Sequence, residues 1–166
     1  YASYRNMYTA LGIKNIDQLL PPPPPPMPKD PALEHIDAMA MKPFQAYRNQ
    51  DHRAHITAHM NFMATNFARN NPPIMGALEK NIFEHISLMA QEHIELEFAQ
   101  QIQQMKQAQA QGLQGQEAQQ QMQQLNLQME ARKAVLIAEY TEEFMTQEKA
   151  ITSMLDSDPL IKLKAQ

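Results

Sequence analysis

The stretch DHRAHITAHM, residues 51–60, decides how this chain folds. It contains His52, His55 and His59, and a helix brings residues three, four and seven positions apart onto one face. Asp51 stands directly before them, and its carboxylate can accept hydrogen bonds from first-turn amides that have no partner within the helix. The stretch therefore predicts a capped helix that begins at His52.

The same helix has apolar side chains at helical spacing, namely Ile56, Met60, Met63 and Phe67. These side chains predict a packing face, and the following Asn-Asn-Pro-Pro sequence predicts that the helix ends near Arg69.

The three imidazoles allow two interpretations. They could bind a divalent metal ion together with ligands from a second helix, such as His85 or His93. Alternatively, they line a contact between helices, or a pH-sensitive contact between subunits, and bond to carbonyls or to carboxylates such as Glu34 and Glu84. We favour the packing interpretation, and we predict no metal ion and no cofactor.

The composition of the 166-residue chain predicts long helices and little or no sheet. Eight of its 12 prolines lie between Pro21 and Pro31, it has only 4 glycines, and no window alternates β-branched or aromatic residues with polar ones. Cysteine is absent, which excludes a disulfide framework and thiolate metal ligands. The sequence begins at Tyr1 without a basic and apolar leader, which suggests a piece of a longer protein.

Four segments follow from this pattern. Residues 1–20 predict a short helix, a stop at a glycine and a second helical turn, and residues 21–50 predict a Pro-rich strap and a short helix that stops near Pro43. Residues 51–111 predict a helical hairpin, whose second helix starts near Ile74 to Gly76 with a stripe that includes Leu78, Ile82, Ile86, Met89, His93, Leu96 and Ala99. Residues 112–166 predict a long Gln-rich helix from residue 116 to about 155 and a C-terminal tail.

The proline tract favours a polyproline II conformation, because proline fixes φ and lacks an amide donor. A stiff spacer is the preferred interpretation. The alternative is a docking motif for an aromatic-lined groove on a partner. The residues of this possible partner-binding site are Pro21, Pro22, Pro23, Pro24, Pro25 and Pro26.

Glutamine dominates the segment from Gln100 to Gln128, where it occupies fifteen of twenty-nine positions. Such a segment has too few large apolar groups to form a core alone. It is either a disordered polar tract or a helix packed beside copies of itself, and we favour the helix in an oligomer. The residues predicted to make packing and oligomer contacts along the whole chain are Asp51, His52, His55, Ile56, His59, Met60, Met63, Phe67, Met122, Leu125, Met129, Leu136 and Tyr140.

Motifs of common enzyme classes are missing from the sequence. It contains no His-Glu-x-x-His run, no Glu-x-x-His pair, no phosphate-binding glycine loop, and no serine in a nucleophile-elbow context. The net charge of −4, with both signs interspersed, argues against tight binding of nucleic acid, and no apolar run reaches the length of a membrane span. We therefore expect a protein that is not an enzyme.

From Leu20 onward the sequence resembles the portal proteins of tailed bacteriophages, the head-to-tail connectors. A proline-rich strap is followed by a Gln-Asp-His-x-x-His-Ile-x-x-His block with a Met and Phe tail, and the ending DSDPLIKLKAQ, 156–166, is similar to an Asp-Pro-Leu-x-x-Leu element of the family. The residues of the block that match are Gln50, Asp51, His52, His55, Ile56, His59, Met60, Phe62 and Met63.

The resemblance implies the C-terminal region of a portal subunit, with its wing, stem and clip before Tyr1. Portal proteins form homo-oligomeric rings, usually of about twelve subunits, at one vertex of the virion capsid. Double-stranded DNA passes through the ring during packaging and ejection without tight binding, and the implied partners are the major capsid protein, terminase and tail-adaptor proteins. The C-terminal helices form a crown or barrel, and assembly takes place in the bacterial cytoplasm. The competing interpretation is a Pro-rich adaptor that oligomerises as a coiled coil.

Overall fold

The computed structural model describes residues 2–20, 22, 25–112 and 115–157. Within these ranges the chain forms helices and no strand, which confirms the mainly α fold class. The helices are α1 (Ala2–Ala10), α2 (Ile16–Leu19), α3 (Pro31–Met39), α4 (His52–Met63), α5 (Asn66–Arg69), α6 (Pro72–Glu97), α7 (Ala99–Ala110) and α8 (Gln116–Ser157).

Side-chain caps set the starts of α3 and α4. An oxygen of Asp30 accepts a hydrogen bond from the Ala32 amide at 2.9 Å, and Pro31 occupies the first turn, where its missing amide is not needed. Asp51 accepts from the Ala54 amide at 3.0 Å, so the predicted cap of the histidine helix is confirmed.

The helix predicted from His52 to Arg69 is interrupted, and this part of the prediction is wrong. α4 ends at Met63, and Thr65, with extended backbone, starts the short α5. The Thr65 hydroxyl donates to the Phe62 carbonyl at 2.7 Å and accepts from the Ala68 amide at 3.3 Å. A threonine side chain that satisfies backbone groups in this way competes with continuous helix.

α6 differs from the prediction at both ends. It begins at Pro72 rather than near Ile74, because two prolines fit the first helical positions. It ends at Glu97, and Phe98, with φ −99° and ψ 8°, separates it from α7, so the helix predicted to reach residue 111 is two helices. Leu96, placed on the apolar stripe by spacing, is 79% exposed.

The body of the fold is built from α4, α6 and α8, with α3 packed on α4 and α6. Contacts of Met63 near Leu78, and of His52 near His85, make α4 and α6 antiparallel. α8 lies antiparallel to α6. Three clusters form the core, and their buried members are Ala38, Met63, Ala68, Ile74 and Leu78, then Ile56, Met60, Ile86 and Phe144, and finally Ala90, Ile94 and Leu136.

α3 turns its polar side inward. Glu34, at 1% exposure, and Asp37 are buried, whereas the apolar residues Leu33, Ile36 and Met39 are about half exposed. A carboxylate is placed inward only where it finds polar partners. The orientation of α3 therefore points to a polar cluster beneath it.

The Gln-rich part of the chain is helical but lies outside the body. α7, described throughout, has no buried side chain, and of the 42 residues of α8 only Leu136 and Phe144 are buried. No helix in the described ranges has the length and apolar character needed to cross a membrane. Pro21, Pro23, Pro24 and the tail from residue 158 lie outside the described residues.

Candidate functional site

Five of the six histidines of the chain meet where α3, α4 and α6 pack together. We define the histidine cluster as these five imidazoles and one carboxylate, namely Glu34 and His35 from α3, His52, His55 and His59 from α4, and His85 from α6. His59 and His85 are both 0% exposed. The imidazoles of α4 lie on one face of the helix, in this cluster, and its apolar side chains lie on the adjacent face, in the core.

One series of side-chain contacts joins α4 to α6. Nδ1 of His52 lies 2.8 Å from Nδ1 of His85, so one of these nitrogens donates and the other accepts. The other ring nitrogen of His52, Nε2, lies 3.3 Å from a carboxylate oxygen of Glu92. Because a carboxylate favours a proton on the nitrogen beside it, His52 Nδ1 is the acceptor and His85 Nδ1 is the donor.

A second series of side-chain contacts joins α3 to α4 and α6. His35 Nε2 lies 2.9 Å from His59 Nδ1, and His59 Nε2 lies 2.9 Å from Oδ1 of Asn81 and 3.1 Å from Oε2 of Glu34. The His35 ring also stacks on Phe62, with centroids 4.4 Å apart. His59 is thus held on both sides, by α3 and by α6.

His55 fastens the segment that precedes α3. Its Nδ1 lies 2.9 Å from the carbonyl oxygen of Asp51, and its Nε2 lies 3.0 Å from the carbonyl oxygen of Lys29. The ammonium of Lys29 pairs with Asp37 of α3 rather than with Glu34. The contact therefore positions the end of the proline-rich strap on α4 but leaves Glu34 without a lysine partner.

The loop between α3 and α4 closes the cluster on the α6 side. The Ala46 amide donates to Glu84 Oε2 at 3.1 Å, and the Asn49 amide donates to Glu92 Oε1 at 2.7 Å. Two carboxylates of α6 thus hold the loop over the imidazoles.

Burial keeps two of the imidazoles neutral at physiological pH. It lowers the pKa of His85 to about 3, with smaller contributions in the same direction from the neighbouring His55, His52 and His59. The pKa of His35 falls to about 4, mainly through burial and then through His59, while Asp30 opposes the shift. Each of these rings therefore has one N–H donor and one lone pair.

Three buried side-chain atoms of the cluster have no hydrogen-bond partner among the described residues: Oε2 of Glu34, Nε2 of His85 and Nε2 of His52. His52 Nε2 still lies 3.3 Å from the Glu92 carboxylate, whereas the other two are acceptors. Glu34 Oε2 lies 3.1 Å from His59 Nε2, but that nitrogen forms its hydrogen bond with Oδ1 of Asn81, 2.9 Å away. Since His85 donates through Nδ1, its Nε2 has the lone pair. Unpaired acceptors of this kind are rare in a protein interior and need an explanation.

The structure brings the histidines together differently from the prediction. Within the described part of the chain, His59 is the one histidine of α4 whose ligand atom lies close enough to those of other residues to share a metal ion, and these residues are Glu34 and His85. The proposed partner His93 lies elsewhere, with Nδ1 2.7 Å from the Tyr140 hydroxyl. Sequence reasoning missed His35, which no spacing rule connects to α4.

The other predicted packing residues divide into buried and exposed ones. Phe67 is 53% exposed within the chain, because the break after Met63 rotates α5 and buries Ala68 instead. Its predicted contact between subunits stays a prediction. Met122, Leu125, Met129 and Tyr140 are partly exposed, and the latter two pack beside the buried Leu136.

A cleft of about 320 Å³ reaches the cluster from the surface. Glu34 forms part of its wall, together with Pro26 and Met27 of the strap, Phe44 and Tyr47 of the loop, and Glu84 of α6. The cleft therefore borders the residue that carries the buried carboxylate.

Comparisons of this chain with protein-family models, with curated proteins and with solved structures find no match in any of the three.

Proposed function

We propose that this chain is a structural, non-enzymatic subunit of a homo-oligomeric ring that conducts double-stranded DNA, like the phage portal proteins that its sequence resembles. The observation that carries the proposal is the long helical arm formed by α7 and the first part of α8, which finds almost no cover within its own chain.

The arm is too polar and too isolated to be stable as a single copy. α8 has 42 residues and is about 63 Å long, yet none of the residues before Leu136, at its midpoint, is buried. α7 makes no more than marginal contact with α8. Helices in proteins owe most of their stability to packing, so neighbouring copies of the arm are the natural source of that packing.

The described part of α8 also has a seam that suits self-association. Ala118, Met122, Leu125 and Met129 recur at three- and four-residue spacing and are partly exposed, between glutamines that are exposed. Glutamine amides can donate and accept hydrogen bonds across such a contact, and methionine adapts to irregular gaps.

The charge distribution agrees with a conduit rather than a clamp. The chain has 18 acidic and 14 basic residues. Several described arginines are engaged with carboxylates, as in the pairs Arg48 with Glu95 and Arg53 with Glu143. Cations neutralised in this way, among the described residues, bind phosphates weakly, so a duplex can move past them.

The same proposal assigns the partners and the location. A portal ring lies at one vertex of the capsid in the virion, next to the major capsid protein. It binds terminase during packaging and tail-adaptor proteins afterwards. These assignments rest on the resemblance of residues 20–166 to portal proteins, together with the helical arm that the rest of the chain leaves uncovered.

The decisive experiment is the mass and symmetry of the purified protein, measured by light scattering and by electron-microscopic class averages. A closed ring with a central hole is the expected result. A monomer over the whole accessible concentration range would contradict the proposal.

A pair of matched variants tests the role of the seam. The double substitution Met122→Glu and Leu125→Glu places charge on the seam and should reduce the assembly to smaller species. The control, Gln121→Glu and Gln124→Glu, adds the same charge at exposed positions of the same helix and should leave the mass unchanged. Equal behaviour of the two variants would exclude the seam as an assembly contact.

The exposure of the proline tract supports a second proposal, a Pro-rich adaptor that forms a coiled coil. Pro22, Pro25 and Pro26 are exposed, as a docking motif requires. Titration with isolated proline-recognition domains distinguishes the two functions. Saturable binding that is lost when Pro25 and Pro26 are replaced by alanine would favour the adaptor, and absence of binding favours the ring.

A further inference from the structure

We propose that Glu34, His59 and His85 bind one divalent transition-metal ion per chain, and that this ion fastens α3 to the α4–α6 hairpin. One ligand atom from each residue lies within 4.8 Å of the other two, and all three side chains are at most 1% exposed. The site is independent of ring assembly and goes beyond the proposed structural function.

The first argument is the convergence of unpaired acceptors. Oε2 of Glu34 and Nε2 of His85 have no hydrogen-bond partner among the described residues, and both are buried. A buried carboxylate is costly unless it is paired or coordinates a cation, and the nearest lysine of the strap is engaged by Asp37. A metal ion would satisfy both acceptors at once.

The second argument is the chemistry of the ligand set. Two imidazole nitrogens and one carboxylate oxygen form a set that binds Zn²⁺, and the same set in a facial arrangement binds Fe²⁺. Mg²⁺ and Ca²⁺ prefer oxygen ligands and do not suit it. Neutral imidazole is the form that coordinates metals.

The third argument is the outer hydrogen bonding of the two histidines. Metal-binding histidines usually donate their second N–H to a partner that orients the ring. His85 donates its Nδ1–H to His52, and His52 in turn faces Glu92. The lone pair on Nε2 of His85 is therefore oriented for coordination.

His59 has the same kind of partner, but it must change tautomer to bind. In the structure its Nε2 faces the oxygens of Asn81 and Glu34 and therefore has the proton. Coordination through Nε2 moves that proton to Nδ1, which then donates to His35 Nε2. Because His35 shifts its own proton to Nδ1 at the same time, no net charge is created.

The fourth argument is access. Glu34 forms part of the wall of the surface cleft of about 320 Å³, so the site lies directly beside a solvent-filled cleft. Three protein ligands leave a coordination position open, and water from the cleft can occupy it.

The test uses the untagged full chain, stripped with a chelator and then exchanged into neutral buffer with Zn²⁺, Co²⁺, Mg²⁺ or, without oxygen, Fe²⁺. Metal content after gel filtration and the thermal midpoint are measured for each ion. One equivalent of Zn²⁺, Co²⁺ or Fe²⁺ and a raised midpoint are expected, with no such effect of Mg²⁺.

Variants locate the ion. Glu34→Gln preserves the volume of the side chain but removes its charge, and it should abolish stoichiometric binding. His93→Gln, on α6 but outside the cluster, is the matched control and should bind as the unaltered protein does. His52→Gln removes the orienting partner of His85 and should weaken binding about 10- to 100-fold.

A spectroscopic measurement keeps the test decisive if Glu34→Gln fails to fold. Bound Co²⁺ in the unaltered protein should give visible absorption that Zn²⁺ abolishes by displacement, and metal binding should switch the ¹⁵N tautomer signals of His59 and His35. The proposal is overturned if the stripped protein takes up none of the transition-metal ions stoichiometrically, or if Glu34→Gln and His93→Gln bind equally well.

Discussion

At the scale of single residues, the end of α3 has a methionine at a position where the backbone conformation favours glycine. Met41 has φ 56°, in the left-handed region. Its amide donates to the Ala38 carbonyl at 3.2 Å, and the Lys42 amide donates to the Asp37 carbonyl at 2.8 Å. This is the Schellman arrangement, in which glycine is the usual residue at the left-handed position.

Met41→Gly should therefore stabilise the protein. The left-handed conformation costs an L-residue about 1–2 kcal/mol, and the methionine side chain is 72% exposed, so little packing is lost. Part of the gain is offset by the flexibility of glycine in the unfolded chain, which leaves an expected increase of about 0.5–1 kcal/mol in the free energy of unfolding. Urea denaturation measures it. Ala40→Gly, at a position with φ −84°, is the control and should not stabilise.

Asp51 provides a second prediction at this scale. Its carboxylate accepts from the Ala54 amide at the start of α4, so Asp51→Ala should lower the free energy of unfolding by about 1 kcal/mol. Asp51→Asn retains an oxygen acceptor and should remain close to the unaltered protein. If denaturation midpoints show equal losses for both variants, the effect comes from charge rather than from the cap.

At the scale of elements, α8 combines two different environments in one continuous helix. From its midpoint onward it packs on α6 and α4 through Leu136 and Phe144, and Arg53 of α4 pairs with Glu143. The Arg53 guanidinium also lies 5.6 Å from the ring centres of Tyr140 and Phe144. The attachment of α8 to the body therefore rests on a few buried side chains with a polar rim around them.

Leu136→Ala tests this attachment. Leu136 is 2% exposed between Ala90 and Ile94, and its truncation should lower the free energy of unfolding by about 2–5 kcal/mol through lost burial and a residual cavity. The neighbouring Val135 is 48% exposed, and Val135→Ala should change the stability by about 0.5 kcal/mol or less. Chemical denaturation of the two variants side by side gives the comparison. A small loss for Leu136→Ala would show that α8 is not part of the cooperative core.

At the scale of the whole molecule, stability is unevenly distributed. The body holds the buried clusters of α4, α6 and the part of α8 from Leu136 onward, whereas α7 and the start of α8 have exposed glutamines and no buried side chain. Regions with few buried contacts open at low free energy. The arm is therefore the part of the molecule whose order depends most on partners.

Hydrogen exchange should reveal this difference. In dilute protein the amides of residues 99–110 and 116–128 should exchange much faster than those of α6 and of residues 130–150. Assembly at higher concentration should protect the arm and leave the body unchanged, since only the arm gains new packing. Slow exchange of the arm in protein shown to be monomeric would contradict the idea that it depends on neighbours.

The sequence by itself determined the helical class, the cap at Asp51, the positions of most helices and the presence of a face of imidazoles on α4. These features follow from periodicity, capping residues and proline placement, which act over a few neighbouring residues. The sequence also pointed to His85 and Glu34 as candidate partners of the α4 histidines, although it did not show how they are arranged. The breaks at Thr65 and Phe98 were missed because both lie within otherwise favourable helical patterns.

Only the tertiary structure decided that α3 turns Glu34 and His35 inward and its apolar side outward. Helical spacing shows which residues share a face but not which face is covered, and here buried imidazoles made the polar face the one that packs. The choice of His59 and His85 as the pair beside Glu34, and the position of His93 outside the cluster, likewise depend on how three helices cross. Distances between side chains on separate helices are set by packing, and no local pattern along the chain encodes them.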